Sequence, residues 1–164
     1  MKLFQCPFCK KTGFLILNGI ISGFSESSFH IITRGHTVIC SARRAGKRGC
    51  GKSFSLFLSK VIKYHTVSTE SIWKFLINIS SKMTSITAFR TVLDSYSDRT
   101  IQRFRCRFKK AQFTIRTNIL SLCTAPLCTE NDPLLQTIAH LRVAFQNSSD
   151  PISDYQIRFM TSLF

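Results

Sequence analysis

The sequence predicts an α+β chain, a small β module stapled by cysteines and followed by helices. Three observations carry that expectation. Cysteines fall in two separated groups, Cys6-Pro7-Phe8-Cys9 and, far downstream, Cys40 with Cys50-Gly51-Lys52-Ser53-Phe54. The span between them is made of short apolar runs broken by turn residues, as strands are. From about residue 69 onward, apolar side chains instead recur at helical spacing.

The β module comes first. Lys2 to Gln5 reads as a short strand entering a turn at the first cysteine pair, and Gly13 to Leu17 as a strand leaving it. Asn18-Gly19 is a two-residue hairpin signal, which would send Ile20-Ile21 back along the sheet and make Ser22 to Ser28 a loop. Phe29 to Thr33 and His36 to Cys40 read as two strands around Arg34-Gly35, and Lys52 to Phe57 closes the sheet. A sheet of this size buries too little to be stable unaided, so a bound metal has to supply the difference.

Four thiols can supply that metal site. A two-residue gap lets one turn aim two sulfurs at a point, and zinc is well served by four thiolates about 2.3 Å away. Cys6, Cys9, Cys40 and Cys50 are therefore the expected ligands of one Zn²⁺ in a zinc-ribbon module. Gly51 can provide the positive φ at which such a turn commonly ends. Nine residues separate Cys40 from Cys50, so the second turn must carry an extended basic loop, with Arg43, Arg44, Lys47 and Arg48. His30 and His36 read as polar strand residues, since the quartet is complete without them. Cys106, Cys123 and Cys128 lack a paired turn and read as buried thiols.

The helical part opens with Ser68 or Thr69 as a cap, and Ile72, Trp73, Phe75, Leu76 and Ile79 form its stripe. A second helix is expected over roughly Ser85 to Ser95. After a turn at Tyr96-Ser97, Asp98 is expected to cap a third helix reaching about Leu122, with Ile101, Phe104, Phe108, Ile115, Ile119 and Leu122 inward. Asp132-Pro133 and Asp150-Pro151 each read as a cap with proline in the first turn. These divisions place the ribbon at 1–64, a helical domain at 65–124 and a helical tail at 125–164.

Charge narrows the partners. The chain of 164 residues has a formal net charge of +15. Residues 1–64 carry eleven Lys and Arg against Glu26, which nets +10, and residues 65–124 carry ten against three acids, which nets +7. Residues 125–164 net −2, from two Arg against four acids. Basic charge confined to the first three quarters points to nucleic acid. The neutral to acidic tail reads as packing on the helical core or binding a protein partner. No apolar run approaches the roughly 20 residues that a membrane span needs. An odd number of cysteines and no leader-like start fit a soluble protein of the reducing cytoplasm.

A short connection between the second and third helices outlines a helix-turn-helix, whose second element enters the major groove. Its first turns here carry Arg99, Thr100, Gln102, Arg103, Arg105, Arg107, Lys109 and Lys110. Arginine pairs bidentately with guanine and Gln with adenine, while Lys and Thr suit phosphates. By helical angle, Arg99, Gln102, Arg103 and Lys110 oppose the apolar stripe, and Thr100, Arg105 and Arg107 flank it.

The order of these features resembles the N-terminal or accessory regions of bacterial insertion-sequence transposases, in which a zinc ribbon precedes a helix-turn-helix. Cys6-Pro7-Phe8-Cys9, Cys50-Gly51-Lys52-Ser53-Phe54 and Arg99-Thr100-Ile101-Gln102-Arg103-Phe104 carry the resemblance, over about residues 6 to 122. What it implies is recognition of double-stranded DNA at an element's ends or at an operator. RNA or ribosome binding through the ribbon, and a protein-interaction adaptor, are the other classes the sequence leaves open. The eight acids sit mostly where caps or loops would use them, so a carboxylate-held catalytic centre is not expected.

Overall fold

The computed structural model describes residues 4–163, apart from 27, 29, 42–48, 64, 94–95 and 128–130. It is α+β, with strands β1 (Leu15–Phe24), β2 (Ile31–Cys40) and β3 (Ser53–Phe57) preceding helices α1 (Thr69–Ser80), α2 (Ser85–Arg90), α3 (Asp98–Ile119), α4 (Pro133–Ala144) and α5 (Pro151–Phe159). Two compact units divide it, Met1–Leu58 and Ser59–Phe164.

The first unit is one antiparallel sheet of order β1-β2-β3. Asn18-Gly19 does not make the expected hairpin turn. β1 runs straight through it, with Leu17 opposite Val38 and Gly19 opposite Thr37, so Asn18 is the extra residue of a β-bulge. Neither residue has the positive φ that a tight hairpin requires. The polar stretch from Ser22 likewise continues the strand to Phe24, and the reversal is made between Ser25 and His30, whose backbones bond at 2.9 Å. Arg34-Gly35 does not separate two strands either. Between Ile21↔Gly35 and Ser22↔Thr33 the register shifts by one, which leaves Arg34 as a second bulge inside one ten-residue strand. Its side chain is buried and donates to the Phe24 carbonyl at 3.2 Å, and its own carbonyl accepts from the Leu58 amide at 2.9 Å.

The helical unit begins where expected, with Ser68 accepting from the Ser71 amide to cap α1. α2 is shorter than its apolar pattern suggests and stops at Arg90. At its end the Ala88 carbonyl accepts both from the local Thr91 hydroxyl at 2.9 Å and from the Asn78 amide of α1 at 3.2 Å, and Asn78 also donates to Thr91 Oγ1 at 2.7 Å. The cap of α3 is Ser97, not Asp98, and its hydroxyl accepts from the Thr100 amide. Asp98 instead occupies the first turn, where the helix dipole favours an anion, and pairs with Arg90 at 2.9 Å. α3 ends at Ile119, one turn before Leu122.

Asp132 and Asp150 cap α4 and α5 as their Asp-Pro pairs predict. Asp150 also accepts from Thr69 Oγ1 at 2.6 Å, tying the start of α5 to the start of α1. Leu134, Ile138, Leu141, Ile152 and Tyr155 from these last helices join Ile72, Phe75, Phe89, Phe104, Phe108 and Ile115 in a single core. Gln156 is buried among them, and its amide donates to the carbonyls of Ser59 at 2.6 Å and Val61 at 3.2 Å while its oxygen accepts from the Leu163 amide. The described residues contain no helix long and apolar enough to cross a membrane.

Candidate metal centre

Cys6, Cys9, Cys40 and Cys50 converge, with all four sulfurs within 4.8 Å of one another. The pairs Cys6–Cys50 and Cys9–Cys40 are each separated by 3.7 Å. This cluster can hold a metal ion. His30 and His36 are not part of it; His36 lies in β2, whereas His30 falls outside the expected strand, just before β2 begins at Ile31.

The two halves of the cluster are built on the same backbone plan. In the first, the Lys10 amide donates to the Cys6 carbonyl and the Cys6 amide to the Lys11 carbonyl, both at 2.9 Å. In the second, the Gly51 amide donates to the Cys40 carbonyl at 2.9 Å and the Cys40 amide to the Lys52 carbonyl at 3.0 Å. Lys10 and Gly51 both have positive φ, 59° and 72°. Cys6 therefore corresponds to Cys40, Cys9 to Cys50, Lys10 to Gly51 and Lys11 to Lys52.

This equivalence resolves the nine-residue spacing of the second half. Ser41 and Gly49 stand where Pro7 and Phe8 stand in the first turn, and the Gly49 amide donates to the Ser41 carbonyl at 3.0 Å. The chain thus leaves an ordinary two-residue turn at Ser41 and rejoins it at Gly49. Gly49 is required by close approach rather than by φ. A Cβ there would lie 2.5 Å from the Ser41 carbonyl oxygen and 2.7 Å from Cys40 Sγ. Sequence reading passed over this residue because glycine next to a basic run looks like loop composition; its position directly before Cys50 was the available signal.

Electrostatics inside the cluster are uneven. Burial pushes the Cys6 thiol up, but the backbone amides of Cys9 and Phe8, helped by the Cys50 and Cys40 sulfurs, outweigh it and bring the thiol down to about 6. Cys40 is pushed up to about 12, by burial first and then by the sulfurs of Cys6, Cys9 and Cys50, against the opposing Cys50 amide, which donates to its sulfur at 3.4 Å. A cation at the centre favours the thiolate form of all four.

Gly49→Ala is expected to lower metal affinity on the order of 10- to 100-fold, as loss of a ligand's supporting shell commonly does. Competition with a chromophoric chelator measures this. Unchanged affinity would mean that the turn has room the geometry denies it.

The other predicted contact residues divide in two. Arg43, Arg44, Lys47 and Arg48 lie outside the described residues. On α3, Arg99, Gln102, Arg103, Arg107 and Lys110 are exposed and Thr100 is half-buried, while Ile101, Phe104 and Phe108 are buried on the opposite side. Arg107 is drawn toward His65, whose ring lies over Phe104. Cys106 is exposed rather than buried, because it falls on the same solvent face as Arg99, Arg103 and Lys110. Cys123 is half-buried and Cys128 lies outside the described residues.

Comparison with protein-family models, with curated proteins and with solved structures finds no match for this chain.

Proposed function

We propose that this chain is a zinc-dependent, sequence-specific binder of double-stranded DNA, an accessory protein of the transposase kind or a transcription regulator. The observation that carries it is the solvent face of α3, where Arg99, Gln102, Arg103 and Lys110 stand together opposite a buried apolar stripe. Those are the side chains that read guanine and adenine edges and neutralise phosphates. Zinc is the metal that suits the cluster. A tetrahedron with arms of about 2.3 Å has edges of about 3.8 Å, and two of the sulfur–sulfur distances are 3.7 Å.

In this reading α2 and α3 form a helix-turn-helix variant, with α3 in the major groove. Seven residues, 91–97, connect the two helices, more than the three or four of the usual motif. The basic residues Arg43, Arg44, Lys47 and Arg48, carried on the second cysteine turn, would add phosphate contacts. The protein acts by binding, and no catalytic role is assigned to it.

Arg103→Ala tests the reading. A bidentate arginine–guanine contact is worth about 1–3 kcal/mol of discrimination against the wrong base, whereas a phosphate contact carries none. On a duplex selected from a random library by the unaltered protein, the variant is expected to lose preference at one base pair more than it loses affinity for random duplex. Equal losses on both would assign Arg103 to the backbone. Failure to enrich any duplex would overturn sequence-specific binding altogether.

A further inference from the structure

The metal end of the β unit carries a surface that the α3 reading does not use. Phe8 sits on the turn between Cys6 and Cys9 and leaves 50% of its area in water, and Phe4, just before the turn, leaves 61%. The Phe8 ring meets Phe54 at 6.2 Å between centroids and 71° between planes, which fixes its orientation. The Lys52 ammonium stands 5.1 Å from the Phe8 centroid. Lys10 and Lys11, on the return of the same turn, are exposed, as is Lys52. The matched backbone plan of the two turns puts Lys11 and Lys52 at corresponding positions, each carbonyl accepting from the first cysteine of its turn.

Outside the cysteine cluster, where four thiolates around a divalent ion would net −2, the charged side chains of the β unit at this end are all basic. Glu26 is the sole acid in residues 1–64, and it lies beyond Phe24 at the far end of a ten-residue strand whose near end, Leu15, pairs with Cys40. At about 3.3 Å per residue that places it roughly 30 Å from the cysteines, well outside the screening length of about 8–10 Å. An exposed ring held beside the Lys52 ammonium, with Lys10 and Lys11 exposed on the return of the same turn, suits a ligand with flat apolar faces and regularly spaced negative charge.

Unpaired nucleotides have both properties. A duplex keeps its base faces stacked internally, and a plain polyanion has no base faces. We propose that Phe8, with Lys10, Lys11 and Lys52, is a binding site for single-stranded nucleic acid, in which a base stacks on the Phe8 ring and the lysines neutralise the flanking phosphates. Phe54 holds the platform, and the metal-bound turn keeps both in place. The site belongs to the β unit and does not depend on α3 reading a duplex.

The test uses the full metal-loaded chain and fluorescence anisotropy with four probes: a twelve-nucleotide oligo-dT, the same length of oligo-U, a random duplex and inorganic polyphosphate. Phe8→Leu keeps an apolar side chain against Phe54 but removes the aromatic face. It is expected to weaken both single-stranded probes about tenfold, with duplex and polyphosphate affinities unchanged and with Phe8→Tyr restoring binding. The relative affinities of the two oligomers tell DNA from RNA. Replacing Lys10, Lys11 and Lys52 together by Gln is expected to lower the log–log salt slope on oligo-dT by about 2, at about 0.7 per phosphate contact. Should Phe8→Leu fail to load metal, photocrosslinking of an iodouracil oligomer to the unaltered chain decides, by whether the crosslink maps to Phe8.

Unchanged oligomer affinity in Phe8→Leu, equal loss on all four probes, or a crosslink elsewhere would overturn the site. Single-stranded binding that survives Arg103→Ala and fails in Phe8→Leu would keep it even if duplex reading by α3 were wrong. The reverse pattern would leave only the α3 reading.

Discussion

Chelating the metal is expected to unfold the β unit, Met1–Leu58, and to leave the helical unit, Ser59–Phe164, folded. The reason is the size of the two cores. Among the described residues, apart from Cys6 and Cys40 themselves, the buried apolar residues of the β unit are Leu15 and Val38, whereas nineteen buried residues make up the helical core. Ile16, Leu17, Ile20, Phe24, Ile31 and Leu56 are all exposed on the strands and contribute little burial. Three strands with so small a core do not offset the entropy of ordering their chain. In zinc-finger peptides metal binding supplies about 10–16 kcal/mol, and that energy is in effect the folding energy.

Protein purified without chelator should contain one zinc per chain by metal analysis. On adding chelator, amide protons of β1, β2 and β3 should exchange freely while those of α1, α3 and α4 stay protected. Cys6→Ser combined with Cys50→Ser should give the same pattern without chelator. Retained protection in β2 after metal loss would show that the sheet holds itself together, and a stoichiometry near zero would remove zinc from the site.

The features legible in the sequence are those settled within a few residues. Asp132-Pro133 and Asp150-Pro151 set helix starts by local hydrogen bonding, and the structure places caps on both aspartates. Half of the cysteine quartet is legible because Cys6 and Cys9 stand at a two-residue gap, whereas the nine-residue gap between Cys40 and Cys50 is explained only by the closure of the second turn between Ser41 and Gly49. The features missed were those settled from far along the chain. Whether Asn18-Gly19 turns or bulges depends on Val38 and Thr37 across the sheet. The end of α2 is bonded in part by Asn78 of α1. Gln156 finds its partners at Ser59 and Val61, almost a hundred residues earlier, and no local pattern announces that. The basic face of α3 was legible as an angle on a helix, but the half-burial of Thr100 and the pull of His65 on Arg107 belong to packing.

Phe89→Ala is expected to cost the helical unit about 3–5 kcal/mol, the range for truncating a buried phenylalanine. α2 has six residues, too few to be helical unless tertiary contacts hold it. Phe89 supplies those contacts. It is 1% exposed, and its ring lies 5.0 Å from Phe75 of α1, 5.6 Å from Tyr96 and 5.7 Å from Phe104 of α3, the last stacked at 21°. Removing the ring leaves three aromatic neighbours facing a cavity and frees α2 from both helices it joins. A domain of this size has about 5–15 kcal/mol to lose in total, so the urea midpoint should fall by a large fraction. Phe89→Leu, which keeps most of the volume, should cost far less. The metal content should be unchanged in both, because the cysteines belong to the other unit. If α2 sets the angle at which α3 meets a duplex, Phe89→Ala should also abolish duplex selectivity before it abolishes the helical signal by circular dichroism. A stability loss under about 1 kcal/mol would show that the three rings can close over the gap, and that α2 is held by something other than Phe89.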